Sequence, residues 1–559
     1  MVRLSLFALT AAVLVSPSFA SPAINLKSIF SQPLDPKKII CQLPLTLKQY
    51  YCPPTGVSAL NRPTQIGTAI GVNDNGAYRF SVKYASASRW QPSTIVSTWQ
   101  LPNGFTDPSQ LPLICPQPDV DDPSTMSEDC LSIVLYVPPA LTLTSAASTL
   151  VWIHGGSSVV GSATALGLDG AKLAVSTNSL VAVVQYRLGA LGFLAHNGQK
   201  NLAVKDVINA ITFLKSHVAS FGGSSSKITL AGQSSGAGLI RALLATPSAS
   251  SLFRSAILHS DPMNYGFLDV STHNALLANF LGQIACASND NACFNTVSLD
   301  TIIAAQMQTM SNVKAFAPAA GPFSPIRPVL DGSLITNPLD SPSTFPSVTK
   351  PLMITSVGQE AGSAIFSIPI PVDQSLFSYL CLDAFIDPVR TNIIMSNPLY
   401  ALTPGPNGEI DGRVQLQVMG TDQQFKCASW TFTRNYVQRG GSVYVGQFVV
   451  GATYPPNNYI SYCTQPGIVC HQDDIQIVFG TVPNPTAAQA ALISEMQKRY
   501  KAFLTNGNPN AAGLPTWSAS TATNVRSLLL GGTGEAPVGA CTPSFWGSAA
   551  LYDYQFFNQ

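Results

Sequence analysis

A serine acts as a nucleophile only where a base can take its proton and a third group holds that base in orientation. Ser234 is the residue best placed for this. Residues 227–231 (KITLA) read as a short buried strand and 237–245 as a helix that opens on small residues, and Gly232-Gln233-Ser234-Ser235-Gly236 joins the two. A strand that turns at once into a helix leaves no room for side chains two positions either side of the serine, hence the glycines at 232 and 236. The serine is then raised beside a helix N-terminus and its unpaired N–H groups. The chemistry this permits is acyl transfer. Candidate bases downstream are His259, His273 and His471; between His273 and His471 lie 11 carboxylates, of which only Glu360 and Glu409 are glutamates.

Regular elements must position these residues. Residues 66–72 and 78–83 alternate as small antiparallel strands, while 132–137, 149–153, 180–186, 251–258, 351–356 and 443–448 are apolar enough for buried strands. Residues 201–220 form a helix with Val204, Val207, Ile208, Ile211, Leu214 and Val218 on one stripe, stopped by Phe221-Gly222-Gly223, and 496–503 read as a closing helix. Strand, helix, strand, sharp turn and helix in succession predict a mostly parallel twisted sheet with helices on both faces, an α/β fold. No linker, charge run or repeat divides the chain, so one domain over 21–559 is expected.

Composition narrows the partners. Charged residues make up 10% of the 559, against about 25% in ordinary globular chains, and the net charge is +1. A basic face for nucleic acid is not expected, and a small neutral substrate is. Residues 1–20, with Arg3, an apolar run over 6–15 and small Ser18 and Ala20, read as a secretory signal too short to span a bilayer, so the mature chain is expected outside the cell without stable membrane insertion. Eleven cysteines then imply disulfides with one thiol over. No C-x-x-C occurs and the six histidines are scattered, so no metal or other cofactor is expected, and there is no N-x-S/T sequon. The oligomeric state is not legible, a monomer being the simplest expectation.

Several ordered blocks carry a resemblance: Ser127-Glu128-Asp129-Cys130-Leu131, His154-Gly155-Gly156-Ser157, Arg187-Leu188-Gly189, the serine turn, Pro328-Val329-Leu330-Asp331-Gly332 and Gly467-Ile468-Val469-Cys470-His471. Over roughly residues 60–520 the chain resembles the type-B carboxylesterases, which include cholinesterases and certain fungal lipases. The resemblance implies an α/β-hydrolase fold with long gorge-forming loops, and the chain order nucleophile, acid, base. That order leaves His471 as base, since His259 and His273 lie too early for further strands and an acid. The family's acid is a glutamate after a strand. Glu360-Ala361-Gly362 fits with Ala361 inserted; Glu409 follows a turn suited to solvent, and Asp331 remains the alternative. Gly156, Ser157 and Ser235 N–H groups would form the oxyanion hole. Ser157 stands where relatives carry a third glycine, Ser158 replaces an aromatic, and Gln233 replaces an acidic residue.

Family disulfides map onto Cys115–Cys130 and Cys286–Cys293. Closeness in sequence suggests Cys41–Cys52, Cys381–Cys427 and Cys463–Cys470, leaving Cys541. Between Cys115 and Cys130 the segment PQPDVDDPSTMSED is acidic and proline-rich, so it builds neither an amphipathic lid nor an aromatic cation site. The expected function is a secreted serine esterase for neutral short-to-medium acyl esters. The alternatives are a triacylglycerol lipase or sterol esterase with another loop as lid, and a non-catalytic adhesion protein of the same fold. Phe316, Phe323, Phe366 and Phe377 are candidates for the pocket wall or the core.

Overall fold

The computed structural model describes residues 41, 48–287, 290–346, 350–405 and 407–557. The expected signal, 1–20, lies outside them. Residues 1–52 and 53–559 are separate compact units. In the first, Lys48–Tyr51 forms one helical turn and Cys41 is bonded to Cys52, the pair suggested by sequence.

The second unit is built on a ten-stranded sheet. Its strands are β1 (Val72–Asp74), β2 (Ala77–Lys83), β3 (Ser132–Val137), β4 (Ala147–Ile153), β5 (Leu180–Val184), β6 (Gly223–Gln233), β7 (Ser255–His259), β8 (Leu352–Val357), β9 (Val443–Phe448) and β10 (Ser527–Leu530). They lie in the order β10-β9-β8-β7-β6-β4-β5-β3-β2-β1. The run from β10 to β5 is parallel, and β3, β2 and β1 are joined to it antiparallel. Successive side chains enter opposite cores: in β4, Val151 and Ile153 face one and Leu150 and Trp152 the other, and in β6 Leu230 and Ala231 divide likewise.

The helices that matter to the site are α1 (Leu202–His217), α2 (Ser235–Leu244), α3 (Gln374–Phe385), α4 (Pro388–Met395), α5 (Arg413–Gly420), α6 (Cys427–Gln438), α7 (Ile475–Phe479) and α8 (Ala487–Asn506). The α1 stripe Val204, Val207, Ile211 and Leu214 is buried in the first core, and Met496, Tyr500 and Phe503 of α8 in the second, so helices cover both faces. Among the described residues no helix is long and apolar enough to cross a membrane.

Three expectations are corrected. Residues 251–254 are a turn rather than strand, because the Lys350 ammonium takes the Ser250 and Phe253 carbonyls. The closing helix starts nine residues early, at Ala487, where Thr486 and Gln489 cap each other reciprocally. Cys427 is bonded to Cys541, 114 residues away, and the free thiol is Cys381. Closeness in sequence misleads here because α3 carries Cys381 to a pocket wall while the start of α6 meets the C-terminal segment. The other pairs expected, Cys115–Cys130, Cys286–Cys293 and Cys463–Cys470, are present.

Candidate active site

The turn between β6 and α2 leaves no space for side chains beside the serine. A Cβ on Gly236 would come within 2.2 Å of the Ile153 carbonyl oxygen, and one on Gly232 within 2.8 Å of Gly236. Ser234 therefore takes φ 55°, ψ −128°, backbone that non-glycine residues hold only when their surroundings impose it. The imposition is visible: its N–H donates to the His259 carbonyl at 2.8 Å, at the tip of β7.

Glu360 and His471 arrive on neighbouring loops that are stitched together. Gln359 N–H donates to the Val469 carbonyl at 2.9 Å, and Val469 N–H returns a bond to Gln359 Oε1 at 2.8 Å. The Cys463–Cys470 disulfide closes the second loop beside the histidine, and its Cys470 sulfur lies where a Cβ on Gly362 would come within 2.8 Å. Buried Glu360 accepts the Val357 N–H through Oε1 at 2.8 Å and faces His471 Nδ1 through Oε2 at 2.6 Å. A carboxylate only accepts, so the neutral ring carries its proton on Nδ1 and offers a lone pair at Nε2. Gln233 Nε2, 3.0 Å away, rather than Ser234, holds that nitrogen. The remaining acid candidates are elsewhere: Glu409 bonds the Asn407 N–H in an exposed turn, and Asp331 caps Ser333, Leu334 and Ile335.

Opposite the serine, Gly156 (φ 113°), Ser157 (φ 54°) and Ser158 (φ 63°) form a left-handed turn after β4. Among the described residues the N–H groups of Gly156, Ser157 and Ser235 have no partner. Ser158 N–H donates to Ser235 Oγ at 3.0 Å, which ties the two donor segments, and Gln117 clamps Gly161 through both its amide groups, at 2.7 and 3.1 Å. Gln117 belongs to the 116–129 loop, so this loop braces the segment that carries the donors. Such an array of free donors facing a serine and a neutral base can stabilise negative charge developing on a carbonyl oxygen.

Two chambers share Ser157, Ser234 and His471, one of about 450 Å³ and one of about 390 Å³. The larger is walled by Ile368, Leu380, Phe385, Leu416, Met419 and Phe425, and among the described residues Asp383 and Glu360 are its charged side chains. Of the four phenylalanines expected at a wall or in the core, Phe323 lines this chamber, Phe377 is core, Phe366 stacks on Tyr462 at 3.7 Å and Phe316 packs on the core edge. Phe385 and Phe425 escaped sequence reading. Phe425 lies in a π-helical turn, Thr421–Lys426, and its ring sits 5.1 Å from that of His471. Thr421 of the same turn accepts the Ala361 N–H at 3.2 Å, so this widened turn touches both Glu360's loop and the histidine.

Asp473 supports the histidine from below. It accepts from Tyr454 N–H, Cys470 N–H and the Asn457 amide, and Asn457 also holds the His471 carbonyl at 2.8 Å. Burial outweighs these donors and pushes the Asp473 carboxyl up to about 7. The folded chain thus binds this proton more tightly than the unfolded chain, whose carboxyl titrates near 4. The stabilisation is complete below that value and is lost as pH rises through about 7. The melting temperature of the native chain minus that of Asp473→Asn is therefore expected to shrink from pH 4 to pH 8, measured by differential scanning fluorimetry; a constant difference contradicts the shift.

Comparison with known proteins bears on the family and the fold. The carboxylesterase family profile matches residues 63–537. The chain is 28% identical to the cAMP-regulated D2 protein of Dictyostelium discoideum over 84% of its own length and 88% of that protein's, and 27% identical to mouse Carboxylesterase 1D over 71% and 72%. Its fold superposes on a PNB esterase with TM-score 0.69, at 23% identity, covering 84% of this chain and 95% of the other. With a sheet of this order, a serine on a strand–helix elbow and a family match over most of its length, the chain belongs to the carboxylesterase family, hydrolases of carboxylic esters on the α/β-hydrolase fold.

Proposed function

We propose that Ser234, His471 and Glu360 carry out the hydrolysis through an acyl-enzyme. Ser234 Oγ attacks the ester carbonyl as its proton passes to His471 Nε2. Glu360 keeps the ring proton on Nδ1 and balances the imidazolium, while the Gly156, Ser157 and Ser235 N–H groups bind the oxyanion. The imidazolium returns the proton to the leaving alcohol, and water repeats the sequence to free the acid. The observation that carries this reading is the 2.6 Å Glu360–His471 contact in a cavity shared with Ser234. No cofactor enters these steps.

The substrates are neutral esters of short-to-medium acyl chains, in keeping with a mostly apolar chamber of about 450 Å³. Passage through the secretory route is supported by the five disulfides and the leading apolar segment. One observation favours a second reading, hydrolysis at a lipid surface: α3 lines the larger chamber with Leu380 and Phe385 and shows exposed Tyr379 and Leu382 outside. The two separate in one experiment. With nitrophenyl esters of graded length and with tributyrin, the esterase saturates below the solubility limit and is fastest at short-to-medium chains. A rate that rises steeply only above that limit sinks the esterase reading in favour of the lipase.

A further inference from the structure

One contact in the site does not belong to the proton relay. Gln233 is completely buried, and its Nε2 lies 3.0 Å from His471 Nε2. Because Glu360 fixes the ring proton on Nδ1, the atom facing Nε2 must be a donor. The carboxamide NH₂ meets that need and its oxygen does not, so the neighbours set the amide orientation. Among the described residues the oxygen is left buried without a partner, against Gly155, where a Cβ would come within 2.7 Å of it. An imidazole nitrogen has a single in-plane lone pair. Gln233 and Ser234 Oγ, adjacent in sequence and on either side of the elbow, compete for it.

We propose that Gln233 is a positioning residue that latches His471 in the free enzyme, occupying the lone pair until a bound ester brings Ser234 into line. This rests on the roles proposed above for Ser234 and His471. The latch is one neutral hydrogen bond, and it must open before Ser234 Oγ can reach the nitrogen. The acylation step of the free enzyme is therefore slowed, by about fivefold for a bond of ordinary net strength. A buried amide left with an unpaired oxygen is the observation that marks the side chain as held for this contact rather than for its own satisfaction.

Charge is the second half of the proposal. The titratable groups around His471 are Glu360 on Nδ1; Asp473 and Asp474 on its own loop, turned to Asn457 and His259; Asp383, Tyr265 and Cys381 in the larger chamber; and His154 and Tyr454 in the smaller one. None of these anions faces Nε2. An uncharged residue at 233 therefore leaves that nitrogen without an anion to hold a proton on it, whereas a carboxylate there would fill the base in mildly acidic solution.

The test compares the full-length chain with Gln233→Met, which keeps the volume and removes the donor, and Gln233→Glu, which adds the charge. Labelling by a small neutral fluorophosphonate and kcat/KM for a short ester are expected to rise about fivefold in the Met variant, the gain appearing as a lower KM with kcat little changed, at an unaltered melting temperature. In the Glu variant the acid limb of the kcat/KM profile is expected to move up by about one pH unit or more. Equal or slower labelling of a folded Met variant overturns the latch. Should that variant misfold, an unmoved acid limb in the Glu variant overturns it instead. A native chain that takes no label overturns the nucleophile assignment and the latch with it, whereas equal labelling of native and Met chains overturns the latch alone.

Discussion

Ser234→Ala is expected to lower kcat for ester hydrolysis by about four to six orders of magnitude, with the fold intact. The size follows from what is removed. Without Oγ no acyl-enzyme forms, and the rest of the site can only bind the ester and polarise its carbonyl through the free N–H groups of Gly156, Ser157 and Ser235. Those donors survive because they are main-chain groups. The elbow survives as well, since it is set by Gly232 and Gly236 and by the Ser234 N–H bond to the His259 carbonyl, none of which uses the hydroxyl. Alanine accepts φ 55° no better and no worse than serine, so stability should change by less than about 0.5 kcal/mol. Burst and steady-state kinetics with a nitrophenyl ester, alongside a melting curve, measure both. A loss smaller than about a hundredfold at an unchanged melting temperature would place the nucleophile elsewhere.

What could be read from the sequence divides by the range of the signal. The elbow is local: strand, glycines and helix follow within twenty residues, and the clash of a Gly236 Cβ with Ile153 is the steric exclusion the motif predicts. The parallel sheet was legible for the same reason, because βαβ succession is a pattern along the chain. His471 and Glu360 were reached only by adding a family resemblance to a count of histidines and glutamates, and the structure brings the two together across 111 residues. The residues that hold them were not legible. Gln359 meets Val469 across 110 residues, Gln117 meets Gly161 across 44, and nothing in an isolated glutamine marks it as a clamp. Phe425 was hidden by its π-helical turn, where the 3.6-residue period used to assign faces fails. Cys427 and Cys541 fail for a related reason, since proximity in sequence carries no information about partners 114 residues apart.

The second large effect comes from an atom that never touches substrate. Glu360→Gln is expected to reduce kcat by about 10³- to 10⁴-fold while leaving KM within a few fold. In the native chain one carboxylate oxygen accepts the Val357 N–H and the other accepts from His471 Nδ1. A carboxamide has one oxygen for two donors. Val357 N–H is a buried main-chain group and keeps the oxygen, because leaving it unpaired costs about 1–3 kcal/mol. The NH₂ is then turned to His471 Nδ1, which can receive it only by giving up its proton, so the ring adopts the tautomer with hydrogen on Nε2. That nitrogen now has no lone pair for Ser234. The side chain of Gln233 must reverse as well, since two donors would otherwise face each other at 3.0 Å, and its unpaired oxygen is the group that can take the new N–H. Both changes lower the population of the reactive tautomer without altering the chambers that bind the ester. The imidazole ring nitrogen shifts in labelled protein, read by NMR with kcat and KM, distinguish this from general damage. A variant that keeps the native tautomer and still loses activity contradicts the argument, as does one that keeps its activity.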